Sequence, residues 1–250
     1  MRVTGGRSVF DVLLALVAVV AGAIASVTGF GIGSLLTPVF SLRVPLKIAV
    51  AAVSIPHLIA TAVRFWMLRG HVERRVLLTF GLASAAGGLT GALLHTRLTS
   101  PMLSVVFGVL LLFVAVMQFT GSSDRMRFGG RVAILAGALS GLLGGLVGNQ
   151  GGIRSAGLLG FEMPKETFVA TATAIGLMVD AARMPVYFAT ERRDMSSLIA
   201  PLVITIVGVV FGTIVGARAL RRVPQRFFRP VVAVVLAVLG IAMIVQASSG

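Results

Sequence analysis

"GFGIGS", Gly29 to Ser34, sets three glycines and a serine inside an apolar run that extends from about residue 9 to residue 42. Glycine in a helix interior costs roughly 1 kcal/mol relative to alanine, so the run reads as a helix that stops and restarts. A second stretch, "GNQGGIRS", Gly148 to Ser155, interrupts the run from about 131 to 161 in the same way. Both runs are longer than the roughly 20 residues that one straight membrane span requires. Two long apolar runs, each broken by glycine, point to an all-α integral membrane protein whose first and fifth segments are broken or re-entrant.

Composition supports the membrane reading. The 250 residues are 57% hydrophobic and 12% charged, with a mean hydropathy of +1.01. Soluble domains carry about 25% charged residues. The net charge of +14 does not indicate nucleic acid, because the Lys and Arg lie between apolar runs, as loop charges of inner-membrane proteins do. One Trp and one Tyr cannot form a stacking platform for bases. With no Cys, disulfides and thiolate metal sites are excluded. No cofactor is expected. Met1 to Arg7 before an apolar run mimics a signal peptide, but the run continues too far for cleavage to be expected. The expected location is the inner cell membrane, crossed several times.

Apolar segments fall at about 9–42, 46–68, 76–96, 101–120, 131–161, 164–189, 197–217 and 228–247. Polar stretches separate them, including "RGHVERR", "TGSSDRMRFGGR" and "TERRDMSS". A shift of 119 residues lays Gly29 on Gly148, Gly33 on Gly152, Pro45 on Pro164 and Arg64 on Arg183. A shift of 121 lays Gly87 and Gly91 on Gly208 and Gly212. The chain therefore divides into two membrane repeats of about four segments, 1–122 and 131–250, with a polar linker at 121–130. If every segment crosses once, the loop Lys and Arg divide almost evenly between the two sides. If segments one and five dip in and return, one side holds the surplus. The second arrangement makes the repeats inverted, and parallel repeats are the alternative.

Broken helices at membrane depth require protein or a cavity around the freed backbone. The second piece of each starts with unpaired N–H groups and partial positive charge, which suits an anion. Transporters built from repeats use such half-helices near the midplane. The candidate substrate-binding residues at the first break are Thr28, Gly29, Gly31, Gly33 and Ser34. At the second they are Gly148, Asn149, Gln150, Gly151, Gly152, Arg154 and Ser155. "GLTG" and "GVVFG", Gly88 to Gly91 and Gly208 to Gly212, read instead as close helix packing.

Arg64 and Arg183 lie within apolar segments, where a cation needs a cavity or a partner. Asp180, three residues before Arg183, predicts a structural ion pair. Arg64 has no acid in its segment, so it reads either as a substrate ligand or as a side chain snorkelling to the nearby interface. His57 is a candidate for proton coupling, against the plainer role of a hydrogen bond across helices. No His/Asp/Glu grouping has metal-ligand spacing.

The motifs "GFGIGSLLTPVF" and "GLLGGLVGNQGGIRSAGLL" are similar to the paired glycine-rich signatures of the TauE/SafE family, exporters of sulfite and organosulfonates. Pro38 of the first has Gly157 as its counterpart in the second. The resemblance spans nearly the whole chain through its two-half plan. It implies transport of small sulfur-containing or carboxylated anions. The leading expectation is a secondary transporter, working as an exporter, that holds a small anion between the two broken helices. The partners expected are that anion, the lipid bilayer and, as an option, a second copy of the chain. An anion channel is the first alternative. An intramembrane serine protease using Ser34 and His57 is a remote second.

Overall fold

The computed structural model describes residues 3–28, 31–121, 130–149, 151–216 and 225–248. No strand occurs among them, and six helical stretches are long and apolar enough to cross a membrane. The protein is an all-α, multi-pass membrane protein. Its first half runs α1 (Val3–Thr28), α2 (Ile32–Ser41), α3 (Leu46–Leu68), α4 (Arg74–Arg97) and α5 (Ser100–Thr120). The second runs α6 (Gly130–Val147), α7 (Gly151–Leu159), α8 (Lys165–Met195), α9 (Ile199–Phe211) and α10 (Gln225–Ser248).

Proline and glycine set many of the boundaries. Pro45 and Pro164, with φ near −52° and −53°, immediately precede α3 and α8. Pro101 lies in the first turn of α5, and Gly121 at φ 66° closes it. The two long runs break where the glycines cluster. Gly31 takes φ 125° and Gly148 φ 75°, values that a side chain would disfavour.

The first break is a reversal. The Arg43 guanidinium lies 4.6 Å over the Phe10 ring, so the chain leaves α2 beside the start of α1. Gly31 and Ser34 also share a cavity wall with Val20 and Ile24. Helices α1 and α2 are thus the arms of a hairpin.

One connection differs from expectation. Residues 190–197, "TERRDMSS", read as a polar loop, but α8 runs on through them to Met195. Glu191 is buried with its carboxylate 3.9 Å from Lys47 Nζ, and Met195 and Leu198 are buried as well. This face has a core to cover, so the helix continues. The chain turns only at the 3-10 turn Ser196–Leu198.

Helices α3 and α8 cross antiparallel. Ser54 meets Met184, His57 meets Asp180, and Arg64 meets Thr173. Around this pair, each half grips the other through glycines. A methyl on Gly87 or Gly91 of α4 would overlap the carbonyl of Ala138 or Leu142 on α6. On α6, a methyl on Gly141 or Gly145 would overlap the carbonyl of Ser84 or Gly88. Helix α1 crosses α9 in the same manner, with Gly22 against Val209 and Gly212 against Val19. The glycines of "GLTG" and "GVVFG" therefore serve close helix approach. Exposed apolar side chains such as Val116, Phe119, Val207 and Val238 form the outer surface, as lipid contact requires.

Candidate anion site

On α3, His57, Thr61 and Arg64 follow one another at i, i+4 and i+7, so they share a face. On α8, Thr173, Gly176, Asp180, Arg183 and Tyr187 do the same. The antiparallel crossing presses these two stripes together. Asp180 is fully buried and accepts from three donors. His57 Nδ1 donates at 2.7 Å, Arg183 Nε at 3.0 Å, and Arg183 Nη2 lies 2.8 Å away. A carboxylate only accepts, so the His57 hydrogen sits on Nδ1. The Asp180–Arg183 pair is joined by a histidine from the other half of the chain. His57 is thus held by an acid rather than standing alone on its helix.

Each of the two arginines holds the last turn of a broken helix. Arg183 Nη1 donates to the Gly144 carbonyl at 2.6 Å, and Arg64 Nη1 donates to the Ala25 carbonyl at 2.5 Å. Carbonyls in a last helical turn lack intrahelical partners, so a guanidinium there completes them. The spacing is the same for donors and acceptors: 183 − 64 = 119 and 144 − 25 = 119. Arg64 Nε also donates to Thr173 Oγ1 at 3.0 Å, while the single tyrosine, Tyr187, donates its hydroxyl to the Gly145 carbonyl. Arg64 is only 4% exposed. It does not snorkel, because α1 and α8 cover it.

Arg154 on α7 completes the cluster. It is 2% exposed, and a methyl on Gly176 would stand 2.9 Å from its Nη1. The Thr61 methyl is 3.6 Å from that same point. Among the described residues, three buried guanidiniums and the buried Asp180 carboxylate therefore lie together. Burying cations is expensive, so each needs counter-charge, hydrogen bonds or both.

The two breaks also meet. A methyl on Gly33 would overlap the Gly148 carbonyl oxygen, and Thr37 Oγ1 and Arg183 Nη1 lie 4.0 and 3.7 Å from the methyl position of Gly148. Gly33→Ala should therefore push the two hairpin tips apart. Overpacking of this kind costs about 1–3 kcal/mol. The expected result is a lowered melting temperature in detergent. An unchanged value would mean that the tips do not touch.

The sequence-based residues do not all gather at the arginines. Arg64, Arg154, Asp180, Arg183 and His57 do. Gly148 borders Arg183, and Asn149 is buried with its Nδ2 unpartnered among the described residues. Ser34 instead lines an apolar cavity of about 110 Å³ with Ile24, Gly31, Val232 and Leu236. The space beside the first break is apolar and small. Ser155 is half-buried, while Gly151 and Gly152 begin α7. Gly29, Gln150 and the Thr28 side chain lie outside the described residues. No hydrogen bond among the described residues joins Ser34 to His57, whose Nδ1 belongs to Asp180. Thr37, Thr61, Thr173 and Tyr187 enter the site without having been foreseen. Two of them carried a signal: Thr61 precedes Arg64 by three residues, and Tyr187 follows Arg183 by four.

A family model described as "Sulfite exporter TauE/SafE" matches residues 14–243. Among curated proteins and among solved structures, nothing matches.

Proposed function

The chain belongs to the sulfite exporter TauE/SafE family, and on that premise we propose that it is a secondary transporter, working as an exporter, that binds a small anion in the buried arginine cluster. The family implies membrane transport of sulfur-containing anions. The finer reading is that sulfite, an organosulfonate or a small carboxylate is held between the two broken helices. One observation carries it: three buried arginines share one buried carboxylate where the hairpin tips meet. The hydroxyls of Thr37 and Thr61 and the Asn149 amide, unpartnered among the described residues, are suited to orient the ligand.

Residues 1–122 and 131–250 are the proposed inverted repeats. The antiparallel α3–α8 crossing and the two arginine–carbonyl bonds with one spacing support this. Alternating access by rocking of whole halves does not suit the glycine crossings, which would have to slide. Movement of the hairpin tips suits them better, with Arg64 and Arg183 as the catches. The proposed membrane is the inner cell membrane, in keeping with the basic loops.

The test is flux in liposomes containing the purified protein. Labelled sulfite should exchange for internal unlabelled sulfite and saturate; linear flux without exchange would identify a channel. His57 is the proposed proton-coupling group. An asparagine amide can keep the bond to Asp180 but does not titrate near neutrality. His57→Asn should therefore retain sulfite exchange within about threefold and lose sulfite-driven proton movement. Proton movement equal to wild type would remove His57 from that role.

A further inference from the structure

We infer that the site takes small anions that carry no ammonium group, and that His57 enforces this by keeping the Asp180 carboxylate occupied; this rests on the arginine cluster being the anion site. Acceptors around the cluster are engaged. Asp180 Oδ2 takes the His57 Nδ1 hydrogen at 2.7 Å, while Oδ1 takes Arg183 Nε at 3.0 Å and lies 2.8 Å from Nη2. In the last turn of α6, three consecutive carbonyls each meet a different side chain. Gly144 accepts from Arg183, Gly145 from Tyr187, and Leu146 from His95 Nδ1 at 2.8 Å. In the last turn of α1, the Ala25 carbonyl accepts from Arg64. Thr173 Oγ1 accepts from Arg64 Nε and gives its own hydrogen to the Val169 carbonyl at 2.7 Å.

Donors are what remain. The Thr37 and Thr61 hydroxyls and Asn149 Nδ2 are buried and have no hydrogen-bond partner among the described residues. Each hydroxyl belongs to a side chain beside a guanidinium. Thr37 Oγ1 and Arg183 Nη1 border the methyl position of Gly148, and the Thr61 methyl and Arg154 Nη1 border that of Gly176. Oxyanion oxygens accept from such groups. An ammonium brings three N–H donors and no lone pair, so it would be buried among cations with its hydrogens unmet. His95 Nε2 is a buried acceptor without a partner, but that corner already holds a cation: the carbonyl of the next residue, Thr96, accepts from Lys47 Nζ at 2.8 Å. The carboxylate is the group that an ammonium would seek, and Arg183 covers only Oδ1. His57, from the other half of the chain, closes Oδ2.

Propanesulfonate and aminoethanesulfonate match in length and differ at one end, methyl against ammonium. Both would be titrated on the full-length protein in detergent, with sulfite as reference. Wild type should hold propanesulfonate at least about tenfold more tightly than aminoethanesulfonate. In His57→Ala, which opens Oδ2, the preference should shrink below about threefold through tighter binding of the ammonium compound. In His57→Asn, whose amide can donate to Oδ2, it should return to at least about tenfold, which separates occupancy of the carboxylate from packing. Equal wild-type affinity for the two sulfonates would overturn the exclusion while the anion site stands. Wild type that binds sulfite but not propanesulfonate would overturn it too, since a methyl end would be refused as firmly as an ammonium. These wild-type comparisons decide the exclusion whether or not the alanine variant folds. A full preference in folded His57→Ala would overturn the role of His57. Binding of neither sulfite nor a sulfonate by wild type would overturn the anion reading itself, and this inference with it.

Discussion

Arg154→Leu should lose about 100-fold in anion affinity while the fold stays as stable as before or gains stability. The affinity loss corresponds to about 2.7 kcal/mol, within the range for removing one partner of a buried charge pair. The stability half of the expectation comes from the repulsion among the three buried arginines. Arg154 is 2% exposed within a group of three arginines and one aspartate. Removing it relieves both its own desolvation and its repulsion of the others. Leucine is also the residue that stands 119 positions earlier, as buried Leu35. Side chains kept at a cost to stability are characteristic of functional sites. Thermal melting and sulfite titration on the same preparation check the two halves together. A melting temperature lowered by many degrees, with affinity retained, would make Arg154 a structural residue and remove the basis for the site.

Asp180→Asn should act in the opposite direction, on the fold first. The carboxylate is the one acid among the described residues that meets His57 and Arg183, and all three are buried. An asparagine leaves Arg183 as an uncompensated cation, and breaking a buried pair from one side costs about 3–5 kcal/mol. Against a total stability of about 5–15 kcal/mol, that removes a large share of the margin. The measurable outcome is a steep fall in folded yield and melting temperature, with any remaining protein also impaired in flux. Near-normal yield and melting would mean that Asp180 does not hold the cluster together.

The contrast between the two arginines explains what could be read in advance. Both breaks were legible because each apolar run exceeded one span and carried several glycines, two of which take positive φ. The Asp180–Arg183 pair was legible because i and i+3 share a helical face. The partner of His57 was not, since it lies 123 residues away on a helix whose direction relative to α3 no local pattern encodes. Arg64 was ambiguous for a related reason. It sits four residues from the end of α3, where snorkelling is normal, and only the packing of α1 and α8 closes that route. Residues 190–197 misled because polar residues usually mark a loop, whereas Glu191 has Lys47 to face and the helix runs on. Thr61 shares a helical face with Arg64, but a threonine in an apolar segment does not by itself announce a site.

The crossing of α1 with α9 carries a consequence for biogenesis. Gly22 packs against Val209, and the Ser26 hydroxyl donates to the Thr213 carbonyl at 2.9 Å, 187 residues downstream. The ribosome therefore delivers the first helix long before the surface that fits it. Until translation passes about residue 213, the small-residue face of α1 has only lipid or borrowed neighbours. A chain halted after α8 would leave that face bare.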